Sequence, residues 1–192
     1  MSRLSMILTL AASCAMAADA GNISGKVSAG KGASVVWVEA VAGKAVPKPD
    51  KLLQMDQHSL LFEPHLLVAP VGATVEFLNN DNVQHNIFWP SVAGNKKLSH
   101  NMGTWPKGEV RSFQFDTPGI VPMLCNVHPE MSGFIVVTPT PYYAEADASG
   151  SYKIDNVPDG SYTVTAWREG MKVQSKPAAV ASSVTVDFTL TK

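Results

Sequence analysis

Short runs of alternating or β-branched apolar residues recur along the chain, and none has the three- and four-residue spacing of an amphipathic helix. Clusters of Gly, Pro, Asn and Asp separate the runs, as at Pro70-Val71-Gly72 and Asn79-Asn80-Asp81-Asn82. The pattern predicts strands at residues 23–27, 34–40, 59–62, 65–68, 74–78, 85–88, 109–115, 119–124 and 133–138. Strands of this length and spacing predict an all-β protein built as a sandwich of two sheets.

The prolines of the segment Thr138-Pro139-Thr140-Pro141 interrupt this pattern, and the sequence beyond them has a different pattern of residues. They predict a boundary between a first domain, residues 22–140, and a second small β-sandwich module, residues 141–192. The turn Val157-Pro158-Asp159-Gly160 predicts a hairpin between two strands, and residues 183–191 alternate as in a strand with one buried face.

The second module resembles the carboxypeptidase regulatory-like, transthyretin-like β-sandwich. The resemblance lies in Gly150-Ser151-Tyr152, the Pro-x-Gly turn and Gly160-Ser161-Tyr162. That family begins with two strands that Gly25-Lys26-Val27 and Gly32-Ala33-Ser34-Val35 match. A module of about fifty residues buries too little surface to be stable alone. Residues 22–45 therefore either complete this module or belong to the first domain, and the sequence leaves both arrangements open.

The first seventeen residues have the features of a secretory signal peptide. Arg3 precedes an apolar run at residues 4–12, and Ala15-Met16-Ala17 forms a small-residue cleavage site. We therefore expect export to the periplasm. Lipid anchoring at Cys14 is the less favoured alternative, because Ala11 stands where such signals usually carry Leu. The apolar run is shorter than the ~20 residues that cross a bilayer, and we expect no transmembrane segment.

Charge and cysteine content narrow the function classes. Fifteen basic and sixteen acidic residues nearly balance, which gives no indication of nucleic-acid binding. Of the two cysteines, Cys14 lies in the signal segment, so Cys125 would be the one cysteine left after cleavage. An exported chain with one cysteine forms no internal disulfide, so this thiol is reactive, pairs between chains or binds a ligand.

The most informative segment is Cys125-Asn126-Val127-His128-Pro129-Glu130-Met131, which lies between two predicted strands, with His85 forty residues upstream. A copper ion that alternates between Cu(I) and Cu(II) binds one thiolate, two imidazoles and a weak axial thioether in a type 1 site. A buried Cys or Met alone is more often part of the core. The combination of these residue types at this spacing predicts a site in which one copper ion is held by His85, Cys125, His128 and Met131. Zinc gains little from Met, and a two-copper centre needs a second cysteine in the loop.

The ligand loop resembles that of the cupredoxins, and in particular the Cys-x-x-His-Pro-x-Met loop of amicyanin. His85-Asn86 matches the first ligand of that family, where the Asn locks the two ligand segments together. The resemblance covers about residues 55–138. It implies a Greek-key sandwich and a monomeric electron carrier, not an enzyme, whose partners are redox proteins such as a cytochrome or an oxidoreductase. Electrons would pass through the exposed edge of His128, ringed by Pro122, Met123 and Pro129.

Other functions and sites remain open at this stage. Copper delivery or storage is the main alternative, and adhesion or sugar binding through the second module is another. A second metal site at Met55, His58 and His65 is less favoured than polar strand and turn positions. We also expect His100 and Met102 to lie in a solvated loop, and Trp89 and Trp105 to lie in the core.

Overall fold

The computed structural model describes residues 20–30, 32–39 and 52–192, so the predicted signal segment 1–17 lies outside the described residues. Strands make up most of this part, as expected for an all-β chain. They are β1 Ala20–Ser28, β2 Val35–Val38, β3 Leu53–His58, β4 Leu61–Glu63, β5 Leu66–Pro70, β6 Ala73–Asn79, β7 His85–Trp89, β8 His100–Trp105, β9 Val110–Phe115, β10 Gly119–Leu124, β11 Ser132–Thr138, β12 Tyr143–Glu145, β13 Ser151–Pro158, β14 Gly160–Trp167, β15 Gln174–Val180, β16 Ser183–Thr185 and β17 Phe188–Thr189. None of the described helical segments has the length and apolar character needed to cross a bilayer.

The central strands, β3–β11, form a sandwich of two sheets. One sheet has the order β5-β11-β10-β7-β8 and the other β4-β3-β6-β9. Their alternating residues point into one core, which includes Met55, Phe77, Trp89 and Trp105. The two tryptophans are therefore core residues, as expected, and each is 1% exposed.

The terminal strands, β1, β2 and β12–β17, form two further sheets. One sheet has the order β13-β1-β16 with β17 also paired to β1, and the other has the order β12-β2-β14-β15. Within the described ranges, β1 and β2 pair with strands from the C-terminal part of the chain. Tyr152, Val164 and Phe188 are among the side chains that fill the core between these sheets.

The predicted hairpin around Pro158 and Asp159 is wrong. β13 pairs with β1, whereas β14 pairs with β2 and β15, so the turn joins strands of different sheets. Both strands carry apolar side chains for the same core, and the chain changes sheet so that both sets are buried. The hydroxyl of Tyr162 donates to the carbonyl of Pro158 at 2.8 Å and closes this connection.

Two predictions in the central strands are also corrected. The strand predicted at 59–62 is a hairpin tip followed by β4, and Ser59 and Leu60 adopt positive φ angles of 54° and 60°. His100 and Met102, predicted to lie in a solvated loop, belong to β8 at the edge of a sheet, where His100 is exposed and Met102 partly buried. An edge strand needs few apolar residues, so β8 lacks a clear strand pattern.

A third apolar cluster lies between the two modules. Trp37 and Trp167 from the terminal strands meet Leu66, Val68 and Val136 from the central strands. Phe134 packs edge-on against Trp167 with ring centroids 5.2 Å apart. All four residues of β2 are buried, because alternate side chains face the terminal core and this shared cluster. Continuous apolar runs in β2 and β11 thus reflect burial on both faces.

Candidate metal centre

The loop at residues 125–131 connects two adjacent antiparallel strands. β10 and β11 stay in register from Gly119 opposite Val137 to Leu124 opposite Ser132, and Cys125 follows directly. Within the loop, the backbone N–H of Met131 donates to the carbonyl of His128 at 3.0 Å, which turns the chain back toward β11. A loop of this length between paired strands brings Cys125, His128 and Met131 close together.

His85 reaches this loop from a neighbouring strand. It is the first residue of β7, and β7 pairs with β10 where Phe88 lies opposite Leu124. Its Nδ1 atom lies 4.0 Å from the Sγ atom of Cys125 and 3.0 Å from the Nδ1 atom of His128. Ligand atoms of the three residues all lie within 4.8 Å of one another. Of all His, Cys, Asp and Glu side chains in residues 20–30, 32–39 and 52–192, these alone form such a group.

The group is shielded from water on most sides. His85 is fully buried and Cys125 is 3% exposed, whereas His128 is partly exposed. Met131 is fully buried in the central core, in the same cluster as Cys125. Ring nitrogens of His85 and His128 and the sulfur of Cys125 face one another in this shielded pocket, so the pocket suits a ligand that all three share.

Asn86 links the two segments that carry the predicted ligands. Its backbone N–H donates to the Sγ atom of Cys125 at 3.4 Å, and its side-chain oxygen accepts from the N–H of Asn126 at 3.3 Å. Its amide nitrogen donates to the Asn101 side chain at 2.8 Å and to the carbonyl of Gly103 at 2.9 Å. Asn86 thereby holds β7, β8 and the ligand loop together around the thiol.

The carboxylate of Asp81 lies behind the ring of His85. Its Oδ2 atom is 2.8 Å from the Nε2 atom of His85 and accepts from the backbone N–H of Leu60 at 2.9 Å. Its Oδ1 atom accepts from the backbone N–H of Ser59 at 2.9 Å. Burial raises the pKa of Asp81, but the hydrogen bonds from Leu60, His85 and Ser59 lower it by more. The net pKa therefore lies below its usual 3.8. Asp81 is therefore ionised at neutral pH and can only accept hydrogen bonds.

The donor set fits a copper ion. Because Asp81 can only accept, the Nε2 atom of His85 carries a proton, and the Nδ1 atom of the neutral ring is left with a free lone pair. Two ring nitrogens 3.0 Å apart need a proton or a cation between them. With a thiol also converging on this point and a buried thioether in the same loop, the residues suit the N, N, S and weak-S ligation that copper prefers.

The other residues singled out in the sequence lie elsewhere. Met55 is fully buried in the central core, His58 is exposed at the end of β3, and His65 binds Glu169 at 2.8 Å on the surface. The structure does not bring these three together as a site. Met123, expected on the surface beside His128, is fully buried because it points inward from β10, so that expectation is wrong.

The exposed residues near the loop are apolar in part. Val127 is 46% exposed next to His128, and Pro129 is exposed on its other side. The sequence missed Asp81 as part of the site. Its position four residues before a predicted ligand was a signal, but the run Asn79-Asn80-Asp81-Asn82 has the composition of an ordinary turn.

Comparison with known proteins gives relatives for both modules. The model of copper-binding proteins of the plastocyanin/azurin family matches residues 49–138. The family model of polysaccharide lyase family 4, domain II, matches residues 137–189. This is the part of the chain whose sequence resembles the carboxypeptidase regulatory-like module. A plastocyanin from Scenedesmus fuscus is 36% identical over 81 residues, which are 40% of this chain and 83% of the relative.

Solved structures resemble the chain over about half its length. A purple cupredoxin from Nitrosopumilus maritimus is 26% identical and covers 45% of this chain and 99% of its own, with a TM-score of 0.40. A reduced amicyanin variant is 25% identical and covers 52% of this chain and 90% of its own, with a TM-score of 0.42.

The plastocyanin relative is matched over 83% of its length, and the family model covers residues 49–138, which contain the converging His and Cys side chains. The chain therefore belongs to the plastocyanin/azurin family of copper-binding proteins, with a second β module in addition to the cupredoxin fold.

Proposed function

We propose that the protein carries single electrons between redox partners in the periplasm, using one type 1 copper ion bound by His85, Cys125, His128 and Met131. The observation that supports this most strongly is the convergence of His85, Cys125 and His128 within 4.8 Å on segments forty residues apart. Copper bound there would supply a one-electron couple between Cu(I) and Cu(II).

The surrounding residues do three things that suit electron transfer. His85 lies in β7, and the paired strands β10 and β11 flank the loop that carries the other three proposed ligands, so the ligands need not rearrange when the charge of the site changes. Asn86 donates to the thiol sulfur and ties the two ligand segments together. The central core excludes water from His85, Cys125 and Met131.

His128 is the proposed point of electron entry and exit, because it is the partly exposed member of the set. Val127 and Pro129 beside it are exposed and give a small apolar surface. Short-lived redox encounters use small interfaces of this kind. A cytochrome or an oxidoreductase is the class of partner we propose.

We also propose a domain division. Residues 53–138 would form the copper domain, and residues 20–39 with 143–192 would form one discontinuous module. The pairing of β1 and β2 with C-terminal strands supports this division, and the apolar cluster around Trp37 and Trp167 would hold the two parts together.

The test of the metal site is to load the purified mature protein with Cu(II) and record its visible spectrum, with Cys125→Ser as the variant. We expect one copper per chain and an intense blue thiolate-to-copper band that the variant lacks. Absence of the band in the wild-type protein, or its presence in the variant, would exclude the proposed thiolate ligation.

Copper delivery or storage is the competing proposal. It shares the ligands but requires the protein to give up its metal to another molecule. The two proposals differ in whether the protein keeps or releases its copper when the copper is reduced.

A further inference from the structure

The carboxylate of Asp81 contacts a proposed metal ligand as well as the tip of a hairpin. One carboxylate accepts three hydrogen bonds: Oδ1 from the N–H of Ser59, and Oδ2 from the N–H of Leu60 and from the Nε2 atom of His85. The side chain of His85 is fully buried, and that of Asp81 is only 17% exposed. The bond between carboxylate and ring is therefore largely protected from competing water.

This contact determines which nitrogen of His85 is free. The carboxylate can only accept, so the proton of the neutral ring lies on Nε2. The Nδ1 atom, which faces Cys125 and His128, then presents its lone pair to the metal position. A carboxylate that accepts from the outer nitrogen of a ligating histidine also raises the basicity of the inner nitrogen.

We propose that Asp81 is a positioning residue that fixes the tautomer and orientation of His85 and lowers the reduction potential of the bound copper. The inference rests on the proposed copper function. A more basic Nδ1 atom and a nearby negative charge both stabilise Cu(II) more than Cu(I), because Cu(II) carries the larger charge. Loss of the carboxylate should therefore favour Cu(I).

The hairpin contacts of Asp81 make a purely structural role the main alternative. Its bonds to Ser59 and Leu60 hold the tip between β3 and β4 in place. If Asp81 only stabilised the hairpin, its loss would lower the stability of the protein and leave the reduction potential of the copper close to that of the wild-type protein. The test therefore needs a readout at the metal and a second readout at the ring of His85.

The first measurement is the reduction potential of copper-loaded Asp81→Asn. The amide keeps the shape of the side chain but has one acceptor oxygen for three donors, and it carries no charge. The matched control is Asp56→Asn, which removes a carboxylate bonded to Asn80 at 2.7 Å and leaves the bond between residues 81 and 85 in place. The control removes a carboxylate that contacts the residue next to Asp81 but not His85, so it measures the effect of losing a charge without that contact.

We expect Asp81→Asn to shift the equilibrium between Cu(II) and Cu(I) about tenfold toward Cu(I), a rise of about 59 mV for one electron. Asp56→Asn should shift it several-fold less. Equal shifts in the two variants, or no rise in Asp81→Asn, would overturn the proposal.

The second measurement needs no variant that might fail to fold. In the 15N-labelled wild-type Cu(I) protein, NMR should show the Nε2 atom of His85 protonated with a slowly exchanging proton, and Nδ1 unprotonated. Protonation at Nδ1, or rapid exchange at Nε2, would overturn the proposal. Failure of the proposed function would appear differently, as a wild-type protein without the blue band.

Discussion

Asn86 is 3% exposed and uses nearly all of its hydrogen-bonding capacity inside the protein. Its amide nitrogen donates to Asn101 and Gly103, and its oxygen accepts from the backbone of Asn126. Each buried hydrogen bond contributes about 1 kcal/mol, and a partner left unsatisfied costs more. A single side chain thus stabilises the junction of β7, β8 and the ligand loop.

Replacement of Asn86 by Ser should destabilise the copper-free protein by about 2 to 3 kcal/mol, because three hydrogen bonds of a buried side chain are lost. Denaturant unfolding measures this free energy. Asn126→Ala is the control, since its exposed side chain is removed while its backbone N–H still donates. Equal stability of Asn86→Ser and the wild-type protein would contradict the network.

At this scale, residue type and spacing predicted the convergence of His85, Cys125 and His128, because Cys-x-x-His in a loop between two strands leaves few arrangements. The contact between Asp81 and His85 was not predictable in the same way. Asp81 lies in a turn, and the direction of a turn side chain depends on the hairpin tip at Ser59 and Leu60 that it caps. That tip comes from a distant part of the chain.

The hairpin between β3 and β4 contains two residues with positive φ and no glycine. Leu60 has a φ of 60°, a conformation that costs a non-glycine residue about 1–2 kcal/mol. The sequence Ser59-Leu60 lacks the Asn-Gly or Asp-Gly signal of such turns, which is why residues 59–62 were predicted as a strand. The Asp81 carboxylate, bonded to both backbone N–H groups, compensates for the missing turn residues.

Leu60→Gly should therefore stabilise the protein by up to about 1 kcal/mol, as relief of the backbone strain exceeds the added freedom of the unfolded chain. The control is Leu61→Gly, at the neighbouring exposed position in β4, which should destabilise by roughly 0.5–1 kcal/mol. Thermal or denaturant unfolding gives both values. A loss of stability in Leu60→Gly as large as in the control would exclude strain at this position.

The turn before β13 depends on the carboxylate of Asp147. Hydrogen bonds from the Ser149 side chain and from the backbone of Ser151 and Ser149 lower the pKa of Asp147 from its usual 3.8. The folded protein therefore binds this proton less readily than the unfolded chain. The stabilisation is complete above pH 3.8 and is lost as the pH falls through the lower pKa of the folded state.

We expect Asp147→Asn to be less stable than the wild-type protein at pH 7 and to lose less stability between pH 5 and about 2, because the titrating group is gone. Denaturant midpoints across this range measure the difference. Asp159→Asn, in the exposed turn before β14, is the matched control. An unchanged dependence on pH in Asp147→Asn would show that these hydrogen bonds do not favour the ionised carboxylate.

Over the whole molecule, the two modules share a buried apolar cluster. Trp37 and Trp167 pack on Leu66, Val68 and Val136, and a surface hydrogen bond joins His65 to Glu169 at 2.8 Å. The sequence predicted two β modules but left residues 22–45 open, because local patterns carry no information about which sheet a strand joins. The continuous apolar run Val35–Val38 becomes understandable once both of its faces are seen to be buried.

The most direct test of the central claim is repeated reduction and oxidation of the copper-loaded protein at an electrode, with a Cu(I) chelator in solution. An electron carrier should give a reversible one-electron wave, regain its blue band at each reoxidation and retain one copper per chain through many cycles. Transfer of copper to the chelator upon reduction would contradict the electron-carrier account and support copper delivery instead.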